Sequence, residues 1–367
     1  MPQSLKDIWN RFTSWPNLLR AYHKCRKRKR YKSGACEFDF QWESNLLLLQ
    51  NELVSQSWIP GEYHNFWIKE PKRRKISAAP FRDRVVHHAI VNLLEPFWDP
   101  QFIYDSYACR RGKGTHRAIR RGQHFARSYE YCVRSDVVKF FPNIDHEILL
   151  NILRRKISDK LFFDVIIRVI ESGKHILADE ASREYFCGDD LFSITRNKGL
   201  PIGNLTSQFF ANVYLNELDH FVKHSLRMKG YIRYADDFIL FGNSKCELWN
   251  AIDAIKSFLA GLRLRLHRHK TILCKCDSGF KFLGFKVNEE SRRLSQDALR
   301  RFNRNLRTLK WQYQNRLISA RDVGRSLDSW LAYSEFANST GIKKELWKRV
   351  VFSRSNEQMV AGDGTAG

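Results

Sequence analysis

Residues 231–241 read YIRYADDFILF. Two apolar runs rich in β-forming side chains surround the pair Asp236 and Asp237, which predicts a β-hairpin with both carboxylates at its tip. A carboxylate is costly to bury without a partner, and a second negative charge beside it raises that cost. An Asp-Asp pair alone is commonly just a turn, but between two apolar strands it indicates a site for a divalent cation.

A third carboxylate follows another predicted strand. Residues 129–134, YEYCVR, are rich in β-forming side chains and lead into SDVVKFF, so that Asp136 stands where this strand ends. Mg²⁺ is usually held by a few carboxylates together with phosphate oxygens. Two such ions about 3.5–4 Å apart can stabilise the attacking and the leaving oxygen of a phosphoryl transfer. The three aspartates therefore predict phosphoryl-transfer chemistry.

The pattern of the other elements predicts the fold class. Apolar residues at helical spacing indicate a helix over 205–222. The alternating apolar and basic residues of 262–273, LRLRLHRHKTIL, predict a strand, and GFKFLGF at 279–285 predicts a strand pair. Helices and strands are mixed without alternating one for one, which is typical of α+β proteins rather than doubly wound α/β proteins.

The composition favours a globular protein with a polyanionic partner. The 367 residues are 43% hydrophobic, which excludes a mostly disordered chain. Lysine and arginine number 63 against 39 acidic residues, a net charge of +24. Seven of the nine residues in 24–32 are basic, and a predicted helix over 291–310 surrounds an apolar stripe with arginines. One such cluster could be an ordinary solvated surface, but two at this net charge favour nucleic acid.

Export and membrane insertion are not expected. The start, MPQSLKDIWNRF, lacks a basic region followed by an apolar run, and no apolar stretch approaches the ~20 residues of a membrane span. The eight cysteines are scattered, which is typical of reduced thiols. We therefore expect a cytoplasmic protein without a membrane partner.

One cluster of nitrogen and sulfur ligands needs a separate interpretation. His267, His269, Cys274 and Cys276 could bind zinc, but their spacing is not a common zinc pattern. We favour a strand with a basic face.

The hairpin and five other stretches together resemble reverse transcriptases. YADD at 234–237 resembles the family signature. In the family's order, the others are EPKRRKI (70–76) and FRDRVV (81–86) of the fingers, SDVVKFFPNID (135–145) and GLPIGNLTSQ (199–208) of the palm, and the primer-grip hairpin GFKFLGF (279–285). The resemblance covers roughly residues 60–290. It implies an RNA-directed DNA polymerase with the right-hand architecture of fingers, palm and thumb.

The resemblance also implies domain borders. We expect a basic helical extension (1–60), fingers that include the first palm segment (61–200, with palm residues 129–150), a palm with the YADD hairpin and primer grip (201–288), a helical basic thumb (289–352) and a flexible tail (353–367).

Among reverse transcriptases, the sequence most resembles the bacterial enzymes of diversity-generating retroelements. This resemblance rests on LPIGNLTSQ (200–208), YACRRGKGTHRAI (107–119) and SWLAYSEFANS (329–339). Retroviral and group II intron enzymes more often place glutamine or alanine where Ile202 stands, and proline where Gln208 stands. The resemblance implies a template-repeat RNA, complementary DNA with errors opposite template adenines, and a small basic accessory protein as partner.

The family's metal-binding roles transfer to four residues. Asp136, Asp236 and Asp237 would hold two Mg²⁺ ions together with the backbone carbonyl of Val137, and Mn²⁺ can substitute. The ions would lower the pKa of the primer 3′-hydroxyl and neutralise the departing pyrophosphate. The three aspartates are the expected catalytic residues.

Contacts with the template RNA, its DNA hybrid and the deoxynucleoside triphosphates are implied by the same motifs. Arg74 and Lys72 would clamp the triphosphate. Phe141 matches the steric gate that excludes a ribose 2′-hydroxyl, while an ordinary core role suits its neighbour Phe140 better because neighbours on a strand face opposite ways. Lys270 would donate a proton to pyrophosphate, or it is a surface lysine.

The palm run 199–208 supplies Ile202, Gly203 and Gln208 as further substrate contacts. Isoleucine cannot hydrogen-bond to the templating pair, so we infer that Ile202 and Gln208 relax the geometric check on that pair. The alternative is that Ile202 simply packs beneath the primer–template.

Three other functions stay open at this point. A reverse transcriptase of a phage-defence or retron-like system would share the palm motifs, and only a neighbouring variable repeat and template repeat would distinguish it. A catalytically silent RNA-binding scaffold has no need of three metal-binding aspartates. A maturase-like splicing factor would need a further RNA-binding or endonuclease domain, for which the chain is short.

Overall fold

A computed structural model describes residues 5, 7–29, 31–68, 73–182, 184–338, 341 and 352. The chain divides into two compact units. The first unit comprises residues 1–121 and 129–274, and the second comprises 122–128 and 275–367. The domain borders expected from the sequence remain predictions, and the expected tail at 353–367 lies outside the described residues.

The first unit opens with helices that build a common core. They are α1 (Trp9–Thr13), α2 (Trp15–Arg26), α3 (Ser33–Phe40) and α4 (Trp42–Val54), followed by the hairpin β1 (His64–Ile68) and β2 (Arg74–Ala78) and the long helix α5 (Phe81–Trp98). Helix α2 packs along α5. Its apolar side, which includes Leu18, Ala21 and Cys25, is fully buried, and of the basic residues in 24–32 only Lys24 and Arg26 belong to this helix. Lys24, Lys27, Arg28 and Lys32 are exposed, whereas Arg26 pairs with Asp39, so the described part of the basic run is only partly directed to solvent.

A four-stranded antiparallel sheet forms the centre of the first unit. Its strands are β3 (Tyr131–Asp136), β4 (Gly230–Tyr234), β5 (Asp237–Gly242) and β6 (Ile272–Lys275), in the order β4-β5-β3-β6. The predicted hairpin over 231–241 is confirmed: β4 pairs with β5, and only Ala235 and Asp236 lie between them. Strand β5 also pairs with β3, which places Asp237 directly opposite Asp136.

Further helices precede and separate these strands along the chain. They are α6 (Thr115–Ala126), α7 (Phe140–Asn143), α8 (His146–Arg154), α9 (Lys160–Glu171), α10 (Leu205–His220) and α11 (Lys245–Gly261). Helix α6 extends from the first unit into the second. Asp145, Asp159 and Ser244 cap α8, α9 and α11 by accepting a hydrogen bond from the backbone three residues ahead. The helix predicted over 205–222 is confirmed as α10, although its last turn continues as a π-helical turn over Phe221–Ser225.

The strand predicted over 262–273 is wrong for most of its length. Leu264 and Leu266 are buried, so the alternation of apolar and basic residues in this segment correctly indicates which side chains are buried. However, the segment makes only an isolated bridge between Val137 and Leu266 and then a 3₁₀ turn over Arg268–Lys270. Strand β6 begins only at Ile272. The interpretation of His267 and His269 as residues of a basic strand therefore fails, because the chain turns there.

The second unit combines a three-stranded sheet with two helices. Strands β7 (Phe280–Phe282), β8 (Phe285–Val287) and β9 (Arg292–Leu294) are followed by α12 (Gln296–Gln314) and α13 (Ala320–Glu335). The strand pair predicted over 279–285 is confirmed. On α12, Phe302 is buried and stacks on Trp330 at 3.7 Å between ring centroids, while Arg300 and Arg304 are exposed. The helix predicted over 291–310 begins only at Gln296, because Arg292–Leu294 form β9, and it packs one face while Arg300, Arg304 and Arg307 stay exposed.

The mixture of helices and antiparallel sheets in both units confirms the predicted α+β class. Across the described ranges, every helix is too short or too polar to cross a bilayer.

Candidate active site

Three aspartates meet at one end of the central sheet. The register places Asp136, the last residue of β3, beside Asp237, the first residue of β5, and Asp236 lies in the turn between β4 and β5. The Val137 N–H donates to the Asp236 carbonyl at 3.3 Å, which ties the turn to the end of β3. The sheet therefore brings together the three carboxylates that the sequence predicted to act together.

Burial and repulsion from neighbouring carboxylates disfavour charge on Asp236 and Asp237. Burial raises the pKa of Asp236 to about 7, and the negative charges of Asp136 and Asp237 contribute to the rise. Burial also raises the pKa of Asp237, although Arg134 acts in the opposite direction. A bound cation would reduce the repulsion among these partly buried carboxylates.

Two cationic side chains approach the carboxylates. Lys270, from the 3₁₀ turn, makes an ion pair and hydrogen bond with Oδ2 of Asp136. Arg134, two residues before Asp136 on β3, places a terminal nitrogen 3.4 Å from Oδ1 of Asp237. The sequence motifs identified Lys270 but gave no reason to connect Arg134 with the site.

The donor atoms fit a divalent ion of the Mg²⁺ class, because carboxylate and carbonyl oxygens are the hard ligands that such ions prefer. With the side chains in these positions, no three His, Cys, Asp or Glu residues of the described ranges form a ready-made metal site. The ammonium of Lys270 instead lies against Asp136. The fit thus rests on the chemistry of the donors and on the raised pKa of Asp236.

The proposed steric gate lies close to this end of the sheet. Lys139 adopts a left-handed conformation with φ of 44°, which ends the extended chain, and Phe140 and Phe141 begin the short helix α7. The strand alternation expected for these two residues is therefore wrong. Phe140 is nonetheless buried at 2% exposure and Phe141 is half-buried, so Phe141 is the ring left with an accessible side. Its role as a gate stays a prediction.

The run 199–208 is attached to β2 of the β1–β2 hairpin. The Ser77 N–H donates to the Ile202 carbonyl at 2.8 Å. The Asn204 side chain donates to the Ser77 carbonyl and accepts from the Ala79 N–H, both at 3.2 Å. Asn204 was not predicted as a site residue; its asparagine at a helix start was the available signal.

Gly203 is required by this attachment. Its φ is +124°, and a Cβ added there would lie 2.9 Å from Cγ2 of Ile76. Ile202 is half-buried, and Gln208 is exposed on the first turn of α10. The structure therefore leaves both predicted fidelity residues accessible, while their contact with a template stays a prediction.

The predicted triphosphate clamp is only partly described. Arg74 is exposed as the first residue of β2, opposite Ile68 on β1. Lys72 lies outside the described residues. Arg73, next to Arg74, is also exposed and places its guanidinium over Trp67, 4.4 Å from the ring centroid.

Comparison with known proteins adds an independent finding. Residues 68–287 match the family model described as reverse transcriptase (RNA-dependent DNA polymerase). The chain is 26% identical to Protein YkfC of Escherichia coli (strain K12) over 320 residues, which cover 73% of this chain and 80% of YkfC.

Proteins encoded by introns also match. Group II intron-encoded protein LtrA of Lactococcus lactis subsp. cremoris is 27% identical over 158 residues, covering 43% of this chain and 24% of LtrA. Nuclear intron maturase 2 of Arabidopsis thaliana is 24% identical over 246 residues, covering 55% of this chain and 33% of the maturase. The chain thus spans between a quarter and a third of these two proteins.

Among solved structures, telomerase from Candida albicans in complex with a fragment of telomeric RNA aligns with a TM-score of 0.44 and 12% identity. The alignment covers 76% of this chain and 54% of the telomerase chain.

Proposed function

The chain belongs to the reverse transcriptase family of RNA-dependent DNA polymerases, and we propose that it writes error-prone complementary DNA within a diversity-generating retroelement. Family membership confirms the predicted right-hand polymerase fold and the class of enzyme. The convergence of Asp136, Asp236 and Asp237 at one end of the sheet supports nucleotidyl transfer at that place. The run LPIGNLTSQ at 200–208 supports the retroelement type.

The metal-binding atoms we assign are the carboxylates of Asp136, Asp236 and Asp237 and the carbonyl of Val137. When bound there, two Mg²⁺ ions, or Mn²⁺ in their place, would lower the pKa of the primer 3′-hydroxyl and neutralise the pyrophosphate that leaves.

The chain's own residues complete the reaction. The primer 3′-hydroxyl releases its proton to water, its oxygen forms a bond to the α-phosphorus, and the bond from that phosphorus to the bridging oxygen of pyrophosphate breaks. Lys270 gives the leaving pyrophosphate a proton. Arg74, together with Lys72, holds the triphosphate, since a guanidinium can bind phosphate oxygens in a bidentate manner.

The sugar is selected by Phe141. Phe141→Ala should raise incorporation of ribonucleotides relative to deoxynucleotides by about 10–100-fold, because the ring no longer occupies the space of the 2′-hydroxyl. Single-nucleotide extension with dGTP and GTP measures the ratio of kcat/KM values. Phe140→Ala is the matched control: it should destabilise the protein by about 3–5 kcal/mol without changing the ratio. An unchanged ratio in Phe141→Ala would remove the gate assignment.

Fidelity is set, in this proposal, by Ile202 and Gln208. Ile202→Gln should lower the error rate opposite template adenines by about 10-fold, since an amide can hydrogen-bond where isoleucine cannot. Sequencing of complementary DNA made from an adenine-rich RNA checks this, with Ile202→Val as the control that keeps an apolar side chain. Equal error rates in all three proteins would refute the role of Ile202.

The partners we propose are a template RNA, its hybrid with DNA, deoxynucleoside triphosphates and a small basic accessory protein. The net charge of +24 and the exposed arginines of α12 support the RNA contact. We propose a cytoplasmic site of action.

The test of this function is primer extension on an RNA template with deoxynucleotides and Mg²⁺, beside an Asp236→Ala, Asp237→Ala double variant. Product that the double variant fails to make, with errors concentrated opposite template adenines, is the expected result. Accurate product would redirect the proposal to a phage-defence or retron-like element. If the wild-type chain makes no product even with its native RNA and accessory protein, the RNA-binding scaffold is favoured.

A second candidate is a reverse transcriptase of a group II intron. The matches to LtrA and to nuclear intron maturase 2 favour it. An intron enzyme should copy template adenines accurately and should bind its intron RNA in preference to other structured RNAs, so the same sequencing experiment separates the two candidates.

A further inference from the structure

The turn that carries Asp236 is connected to the helix behind it by a buried arginine. Arg233 lies on β4, three residues before Asp236, and its side chain is 1% exposed. The guanidinium donates to both carboxylate oxygens of Asp219 on α10, at 2.7 and 2.6 Å. Its remaining nitrogen donates to Oδ1 of Asn212 at 3.2 Å and to the backbone carbonyl of Ala235 at 3.1 Å.

This last contact reaches the most constrained residue of the turn. Ala235 has φ of 54°, a left-handed conformation that costs a residue with a Cβ about 1–3 kcal/mol and persists where its surroundings impose it. Its carbonyl is part of the peptide group that leads into Asp236. A hydrogen bond to that carbonyl therefore limits rotation of the peptide and with it the direction of the Asp236 side chain.

Arg233 is itself held in place by its backbone. Its N–H donates to the Asp105 carbonyl at 2.9 Å, and its own carbonyl accepts from the Tyr107 N–H at 3.0 Å. Asp219 receives a further hydrogen bond from the Tyr231 hydroxyl at 2.8 Å. The arginine is thus fixed at both ends before it meets the turn.

We propose that Arg233 is a positioning residue for nucleotidyl transfer, which holds the Ala235 carbonyl and so fixes the direction of the Asp236 and Asp237 carboxylates at the proposed metal-binding position. A planar guanidinium suits this task, because one edge binds Asp219 while another nitrogen remains for the turn. A buried ion pair contributes little net stability compared with apolar side chains of similar volume. The arrangement is therefore better explained by its control of the turn. The inference rests on the proposed polymerase function.

Two variants separate this role from a purely structural one. Arg233→Lys keeps a positive charge beside Asp219, but one ammonium cannot hold both carboxylate oxygens and the Ala235 carbonyl. The double variant Arg233→Met, Asp219→Asn removes both charges together and leaves Tyr231 an oxygen to donate to. The double variant should fold, whereas Arg233→Met alone would leave the charged Asp219 buried without a partner.

Each variant is assayed for primer extension and, in the metal-free state, for hydrogen–deuterium exchange in the peptide over 230–242. We expect kcat to fall about 10-fold in Arg233→Lys and about 100-fold in the double variant, the size of effect that a misplacement of about 1 Å produces. KM for the deoxynucleotide should change less than about twofold. Exchange at the turn should become faster in both variants. Ile166→Ala, in the buried face of α9, is the control for lost stability and should keep the wild-type kcat.

Wild-type kcat and turn exchange in a folded Arg233→Lys protein would overturn the proposal. A loss of kcat in Ile166→Ala as large as in the double variant would also overturn it, since instability would then explain both. If the wild-type chain makes no DNA, the proposed function fails separately, and the exchange of the turn still decides whether Arg233 holds Ala235.

Discussion

Asp236→Asn is expected to abolish DNA synthesis while making the metal-free protein more stable. The substitution removes a carboxylate that the proposed mechanism needs for metal binding, so we expect kcat to fall by at least about 10³-fold. The same carboxylate is buried beside Asp136 and Asp237, and its pKa is raised to about 7. Since a tenfold change in proton affinity corresponds to about 1.4 kcal/mol, the neutral amide should raise the free energy of unfolding by a few kcal/mol above pH 7.

The contribution of Asp236 to the free energy of unfolding is expected to fall as the pH rises. An unfolded aspartate titrates near 3.9, so between about pH 4 and 7 the folded protein keeps a proton on Asp236 that the unfolded chain has released. Stability from this group is therefore present below pH 4 and is lost as the pH rises through about 7. Asp236→Asn should remove that loss.

The comparison must be made between wild type and variant. Buried His87 and His88, whose pKa values are lowered to about 3 and 4, contribute a slope of the opposite sign. Thermal unfolding from pH 4 to 8 in a chelator measures the difference, in which the histidine slopes cancel. Asp253→Asn, an exposed carboxylate on α11, is the control. A variant that is less stable than wild type at pH 8 would contradict the electrostatic account.

Lys270→Met is expected to lower kcat by about 10²–10⁴-fold, the usual contribution of a general acid. Lys270→Arg should lose nearly as much, because a guanidinium keeps its charge but is too weak an acid to give up its proton. Presteady-state incorporation of a single deoxynucleotide measures the chemical step directly. Lys256→Met, an exposed lysine on α11, should behave as wild type.

The contact between Lys270 and Asp136 offers a competing explanation that the same experiment excludes or supports. If Lys270 were only a counter-ion for Asp136, its loss would free the carboxylate, lower the Mg²⁺ concentration needed for half-maximal rate and leave kcat within about threefold of wild type. The proton-donor role requires the opposite: a large loss of kcat that excess Mg²⁺ does not restore.

The sequence predicted those parts of the site whose signal is local. The hairpin over 231–241 was predictable because two carboxylates between apolar β-forming runs leave few other arrangements, and the strand pair at 279–285 followed from the same reasoning. Helix α10 was predictable from its apolar spacing. In 262–273 the alternation of Leu264 and Leu266 reported burial correctly, but burial alone does not show that a segment pairs with a neighbouring strand.

What the sequence did not predict depends on contacts between distant residues. Arg233 and Asp219 are 14 positions apart and share no local pattern, while Lys270 reaches Asp136 across 134 positions. The unexpected helix α7 follows from the left-handed Lys139, a conformation that propensities do not assign to lysine. Charge inside a buried strand was the one available warning for Arg233, since a charged group rarely remains buried without a partner.

Hydrogen bonds attach residues 202–204 to β2. The hairpin that carries Arg74 and the segment that carries Ile202 are therefore expected to move together. In the proposed mechanism, a tilt of β2 that the triphosphate imposes through Arg74 would also move the Ile202 backbone, because Ser77 and Asn204 link the two segments. If Arg74 and Ile202 have the roles we propose, we expect the accuracy of base-pair selection to depend on how tightly the triphosphate is bound. On this proposal, substitutions in β2 should change copying errors as well as nucleotide affinity.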